Sequence, residues 1–241
     1  MRIPFDSQSM SPLAIGASPV SLTAAVASAP GMEYLPFTVR VASTAADLAK
    51  AVQVRHDAYA RHIDPKFADA LRNPEAMDTA PGVVVLLAES KLDGSPLGSM
   101  RIQTNHNQAL CVEQAIDLPK WMQGKKLAEA TRLGVAQGAE GRLVKTVLVK
   151  AGYLFCVRNG IDYMVVTARA PLDRQYERLL FKDIYPGMGF VPLSHVFNLP
   201  HRIMCFDVFE GERLWSEERH PLLGFMRYTE HPDVKVGPVV L

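Results

Sequence analysis

Glu129 and Arg132 stand three residues apart, just before a turn with two glycines, Gln137-Gly138-Ala139-Glu140-Gly141-Arg142. A carboxylate can take a proton from an attacking group, and an arginine can grip an anion with two parallel hydrogen bonds. Residues 127–136 read as a strand, and the residues after Gly141 as the start of a helix. A strand that passes through a glycine turn into a helix N-terminus aims free backbone N–H groups at one point, and that geometry binds phosphate. A pyrophosphate or phosphopantetheine arm would sit there, among Val135, Gln137, Gly138, Gly141 and Arg142. The plain alternative is an ordinary strand–helix unit with a solvated turn, because short glycine patterns recur widely. Residues three apart on a regular strand face opposite sides, so Glu129 and Arg132 share a face only if a β-bulge lies between them.

The elements that must hold these residues are legible in outline. Residues 37–42 alternate as a strand does. Thr44 and Asp47 form a capping-box pattern, and the helix behind it sets Leu48, Val52, Arg55 and Tyr59 on one face. Arg55 therefore lies on an apolar stripe, either snorkelling at its edge or buried against a carboxylate. Residues 63–81, with three prolines, read as a loop. Residues 83–90 and 97–104 make a hairpin around Asp93-Gly94, with Arg101, Ser99 and Gln103 on one face. An irregular stretch leads to Lys126. After the turn, Leu143, Val144, Val147, Leu148, Ala151, Leu154 and Phe155 form a helical stripe with Lys145 and Lys150 off its centre, ending at Asn159-Gly160. Residues 161–167 read as a central strand, Pro171 opens a helix to about Lys182, and Arg202 to Phe209 form a last strand. The final thirty residues read as a helix or loop extension. This order implies a mixed α/β fold, a twisted mixed sheet with helices on both faces.

Bulk properties narrow the function classes. The chain has 241 residues, 48% hydrophobic and 21% charged, with a formal net charge of +1. It divides into an expected flexible or loosely docked arm (1–34), one domain (35–210) and an extension packed on it (211–241). So small a net charge gives no global field for nucleic acid or an anionic membrane. No apolar run approaches the ~18 residues of a spanning helix. Cys111, Cys156 and Cys205 are odd in number and widely spaced, which fits a reducing, cytoplasmic setting better than a disulfide frame or zinc site. The seven histidines show no metal-ligand spacing, so no metal is expected. Ala27-Ser28-Ala29 before Pro30 resembles a signal-peptidase site, but Asp6, Pro12 and Pro19 interrupt the apolar run that a signal needs.

The element order, Glu129-x-x-Arg132 before the turn, and Tyr185-x-x-x-Gly189-Phe190 together resemble the GNAT acyltransferase superfamily. The turn departs from that family's Arg/Gln-x-x-Gly-x-Gly/Ala form, since Glu140 occupies the middle glycine position. Arg55, Asp78, Arg101, Glu129 and Arg132 also follow the order and approximate spacing of charged residues in acyl-homoserine-lactone synthases. Long-chain N-acyl amino acid synthases share that framework. Tyr59 stands where the lactone synthases keep a phenylalanine, and Pro65 near where they keep a tryptophan. These departures favour the N-acyl amino acid branch.

The resemblance implies a fatty acyl donor held as a phosphopantetheine thioester, on acyl carrier protein or CoA, with no permanently bound cofactor. The acceptor would be an amino acid or related amine. Glu129 is then expected to accept the amine proton, and Tyr185 either to protonate the departing thiolate or to pack as an aromatic at its turn. Arg55, Asp78, Arg101 and Arg132 would shape the acceptor pocket, or form a structural ion cluster. Lys125, Lys126, Arg142, Lys145 and Lys150 are read either as an ordinary solvated face or as a rim around the pantetheine entrance, where an acidic carrier protein would dock. Two rivals remain: an autoinducer synthase that uses S-adenosylmethionine in bacterial signalling, and a non-catalytic sensor of acyl-CoA or acyl carrier protein, suggested by Glu140.

Overall fold

The computed structural model describes residues 31–138 and 140–237. The expected arm lies outside the described residues except for its last four. The short β1 (Gly31–Met32) leads to β2 (Phe37–Val41), whose alternation buries Phe37 and Val39. The capping box forms as expected: Thr44 accepts from the Asp47 N–H and opens α1 (Ala45–Ala60). The stretch expected as a loop contains α2 (Pro65–Asp69) and a 3-10 turn, Ala76–Thr79. Both are too short to show a helical period. Next come β3 (Val83–Ser90) and β4 (Pro96–Thr104), then α3 (Cys111–Ala115) inside the stretch read as irregular.

β5 (Leu127–Val135) runs into the glycine turn and α4 (Gly141–Arg158), followed by β6 (Tyr163–Ala168). The helix expected from Pro171 to Lys182 shrinks to α5 (Asp173–Arg178), because β7 (Lys182–Asp183) pairs with a later strand. β8 (Val191–Leu193), β9 (Leu199–Asp207) and α6 (Gly211–Glu217) follow. The last thirty residues are more than an extension. β10 (Thr229–Glu230) pairs with β1, and β11 (Val234–Lys235) adds a parallel edge strand beside β2.

The main sheet runs β11-β2-β3-β4-β5-β6-β9-β7, with β8 on β9. α4 covers one face, burying Val144, Leu148 and Phe155 in a core with Phe37, Leu86, Met100 and Ile102. α1 covers the other face, where Ala51 meets Val85 and Leu87, and the Ser99 hydroxyl donates to the Ala51 carbonyl. Helices on both faces of a mixed sheet are what the sequence order implies. No described helix is long and apolar enough to cross a membrane.

Candidate active site

β5 and β6 are parallel and pair only through their first halves, from Leu127–Tyr163 to Ala130–Val166. Beyond that the strands separate. The bulge that would let Glu129 and Arg132 share a face is present: β4–β5 pairing shifts by one residue between Arg101–Thr131 and Ser99–Gly134, and Arg132 takes a left-handed φ of 54°. The extra residue turns Arg132 onto the α1 face, where Glu129 also lies. Beyond Ala130 the β6-facing edge of β5 has no β6 partner.

Beside the bulge lies a buried ion cluster. Arg55, only 1% exposed, donates both terminal nitrogens to Asp78 at 2.8 and 2.9 Å. Arg101 reaches Asp78 at 3.1 Å and Glu75 at 3.0 Å. Arg132 grips Glu75 with two bonds, 2.8 and 2.7 Å. The four residues expected from the sequence are thus brought together, but Glu75 is what joins Arg132 to the rest. Glu75 escaped the sequence reading because it sits in the proline-rich segment taken as a loop. Burial opposes the charge of Glu75 and Asp78, but the facing guanidiniums outweigh it and hold both carboxyls below the usual range. Three guanidiniums share two carboxylates, so the cluster keeps one positive charge in excess, and Arg55 Nε has no hydrogen-bond partner.

Glu129 differs. It is fully buried, and its Oε2 accepts the Val112 N–H at 3.1 Å. Its Oε1 has no hydrogen-bond partner and lies 3.7 Å from His195 Nε2, on the loop after β8. Burial pushes the Glu129 carboxyl up to about 7, against the pull of the Val112 N–H and of Arg101. Burial, then Arg132, lowers His195 to about 4, so the ring is neutral at pH 7. A lone histidine in an irregular loop carried no sequence signal.

Where β5 and β6 part, a cleft of about 490 Å³ opens. Leu133, Gly134 and Val135 form one wall, Thr167, Arg169 and Pro171 the other, and Tyr59 and Arg61 from the end of α1 close a side. A side compartment of about 60 Å³ reaches Thr131, Arg132 and His201. On the α4 side an apolar pocket of about 280 Å³ continues from the cleft, sharing Leu133, Lys145, Leu172 and Gln175 with it and lined further by Val149 and Met226. Among the described residues no carboxylate lines any of the three. Glu129 therefore stands behind the wall rather than in it.

The glycine turn lies at the C-terminal end of β5, at the N-terminus of α4, where first-turn N–H groups lack intrahelical acceptors. Gln137, Gly138 and Arg142 are exposed; Ala139 is outside the described residues. Gly141 is required sterically, since a Cβ there would lie 2.9 Å from the Ala136 carbonyl. Tyr185 is placed as a packed aromatic. Its ring packs on the cluster around Leu110 and Ile203, and its hydroxyl donates to the Asp117 carbonyl at 2.8 Å.

The lysine rim does not form. Lys125 and Lys126 precede β5, at the opposite end of the strand from the turn. Lys150 is 2% exposed and donates to the Phe225 and Thr229 carbonyls, because the C-terminal segment that covers it is invisible to the helical pattern. Burial lowers it to about 8. Only Arg142 and Lys145 of the five lie at the turn and cleft. The three thiols are all buried, and burial raises each of them, so none is a ready nucleophile.

The chain matches the family model described as N-acyl amino acid synthase FeeM over residues 50–189. That span holds the ion cluster, Glu129, the glycine turn and Tyr185. No curated protein matches the chain. Among solved structures it is similar to FeeM, an N-acyl amino acid synthase from uncultured soil microbes. The identity is 18% and the TM-score 0.60, over 76% of this chain and 96% of that one. A putative GNAT-family acetyltransferase from Desulfovibrio desulfuricans aligns at 14% identity and TM-score 0.51, over 71% and 99%. Escherichia coli ElaA aligns at 15% and 0.50, over 71% and 98%. At such identities the structures speak for the fold, whereas the family match spans more than half of the chain. The protein belongs to the FeeM family of N-acyl amino acid synthases and is an acyltransferase with the GNAT fold.

Proposed function

We propose that the protein transfers a fatty acyl group from a phosphopantetheine thioester to the amino group of an amino acid or related amine. One observation carries this reading: the cleft between β5 and β6 begins at Val135, two residues before the glycine turn, and continues into an apolar pocket. A donor with a phosphate at one end and a hydrocarbon chain at the other matches that polarity. Its phosphate sits on Gln137–Arg142 and the α4 N-terminus. The thioester oxygen meets N–H groups on the open edge of β5. The acyl chain enters the pocket lined by Val149, Leu172 and Met226. Acyl carrier protein is the preferred source of this arm, with acyl-CoA as a substitute. The exposed Arg61 and Arg142 flank the cleft mouth, and an acidic carrier would meet them there.

In the reaction the acceptor nitrogen attacks the thioester carbon, a C–N bond forms, and the C–S bond breaks. The acceptor enters as an ammonium ion and loses two protons. One leaves on the released thiol and the other goes to solvent through a base. Glu129, poised near neutrality, is the proton acceptor in this reading. It stands behind the cleft wall, so the proton reaches it by relay, and His195 at 3.7 Å is the adjoining group. Tyr185 keeps its bond to Asp117 and serves the turn, leaving the thiolate to take its proton from water. The arginine cluster fixes α1 and the bulge against each other, and Arg132 also lines the side compartment.

Expression in a bacterial host, with mass spectrometry of its lipid extract, tests this reading. N-acyl amino acids with long saturated or monounsaturated chains should accumulate, and Leu172→Trp should shift them to shorter chains by narrowing the apolar pocket. Acylated products with unchanged lengths in a folded Leu172→Trp protein would place the chain elsewhere.

A further inference from the structure

Three cations of the cleft are already engaged. Arg61 donates to the Asp57 and Val135 carbonyls, Lys145 to the Gln175 side chain, and Arg132 to Glu75. Arg169, just past the end of β6, is not. Its guanidinium makes no hydrogen bond or ion pair with any described residue, although its backbone carbonyl accepts from the Asp173 N–H. The side chain is half-buried and lines both the main cleft and the side compartment. A half-buried guanidinium has given up part of its hydration, and only an acceptor group in the cleft can return what it lost. No carboxylate of the described chain lines the space to do so.

The compartment that Arg169 shares with Arg132 limits the choice of anion. Its other walls are Tyr59, Thr131, Thr167, His201 and a small apolar set that includes Ile63 and Phe197. His201 Nδ1 lies 2.8 Å from the Leu199 carbonyl, which can only accept, so Nδ1 carries the proton and Nε2 is left as an acceptor. The compartment's volume of about 60 Å³ suits a carboxylate and the carbon that bears it, not an acyl chain. A planar guanidinium matches a carboxylate with two parallel bonds. We infer that this compartment binds the α-carboxylate of the acceptor amino acid, with Arg169 as its anchor. The carboxylate so held leaves the amino group pointing along the wall towards the β5 bulge. The inference rests on the reading of the protein as an amino acid N-acyltransferase.

The test compares two acceptors with acyl-CoA as donor: the amino acid that the wild-type enzyme acylates fastest among the twenty, and the amine left when that amino acid loses its carboxylate. Arg169→Met should raise KM for the amino acid by about 10–100-fold, the worth of a charged hydrogen-bond pair. KM for the amine and for acyl-CoA should stay within about twofold. Arg169→Lys, which keeps a point charge without the fork, should fall between wild type and Arg169→Met. Thermal melting of both variants verifies that they fold. An equal change for amino acid and amine, a change confined to acyl-CoA, or no change would each overturn the assignment of Arg169 while leaving the synthase reading intact. A wild-type enzyme that acylates no amino acid at all would overturn the reading itself.

Discussion

At the scale of single residues, burial decides what each charged group can do. Glu129 has an ordinary carboxyl value of 4.5 and is lifted by burial to about 7. Between those two values the folded protein holds a proton that the unfolded chain has already released. The group's contribution to stability is therefore full below 4.5 and is lost as pH rises towards 7. The loss amounts to roughly 3 kcal/mol at most. Glu129→Gln removes the titration, so in urea unfolding its stability relative to wild type should rise by roughly 1–3 kcal/mol from pH 5 to pH 8. The same variant should lower kcat by roughly 10²–10⁴-fold and erase the limb near pH 7 in its pH–rate profile. A variant with wild-type turnover would remove Glu129 from the proton path. Asp78→Asn acts in the opposite direction, because it strands the buried Arg55. It should cost about 3–5 kcal/mol. Combined with Arg101→Met it should cost less than the two single changes added, since both touch one network. Strict additivity in a denaturation cycle would show that the pair is not coupled.

At the scale of elements, the site depends on how β5 is shaped and what packs on it. Gly134 lies under α1, and a Cβ there would come 3.0 Å from Ala58 Cβ and 3.1 Å from Arg55 Cα. Gly134→Ala should therefore push α1 off the bulge, costing about 1–3 kcal/mol and disturbing the cleft wall. Gly141→Ala strikes the Ala136 carbonyl, so the turn must move, and KM for the acyl donor should rise while KM for the acceptor holds. An unchanged donor KM in the folded variant would move the phosphate away from this turn. Much of this level is legible in the sequence. The capping box at Thr44, the apolar stripe of α4 and the β3–β4 hairpin are local patterns, and local patterns survive folding. The spacing of Glu129 and Arg132 poses the question of a bulge but does not answer it, since without one the two residues face opposite sides. What stays hidden is non-local. Glu75 acts from a segment with no period, Lys150 is buried by a stretch 75 residues or more away, and His195 meets Glu129 only through the β8–β9 loop. The roles of Arg169 and His201 likewise depend on two strands separating, which neither strand's own pattern encodes.

At the scale of the whole molecule, a sheet splits along one seam and the chemistry collects there. The net charge is near zero, yet the lining of the seam carries arginine, lysine and histidine and no described carboxylate. The proposed anionic donor would therefore be drawn to the seam by local field rather than by total charge. Reversing Lys125 and Lys126, at the wrong end of β5, should leave the rate with acyl carrier protein unchanged. Arg142→Glu at the mouth should slow it more than the rate with a short acyl-CoA, and the difference should shrink as salt is raised. Equal losses with both donors would assign Arg142 to the phosphate instead of to the carrier surface. Acyl transfer to an amine is tested most directly by stoichiometry. Purified protein is incubated with a long-chain acyl thioester and the twenty amino acids, and free thiol and N-acyl amino acid are measured together. The expected result is one amide formed for each thiol released, with both lost in Glu129→Gln. Thioester binding without thiol release, or thiol release without amide, would contradict it.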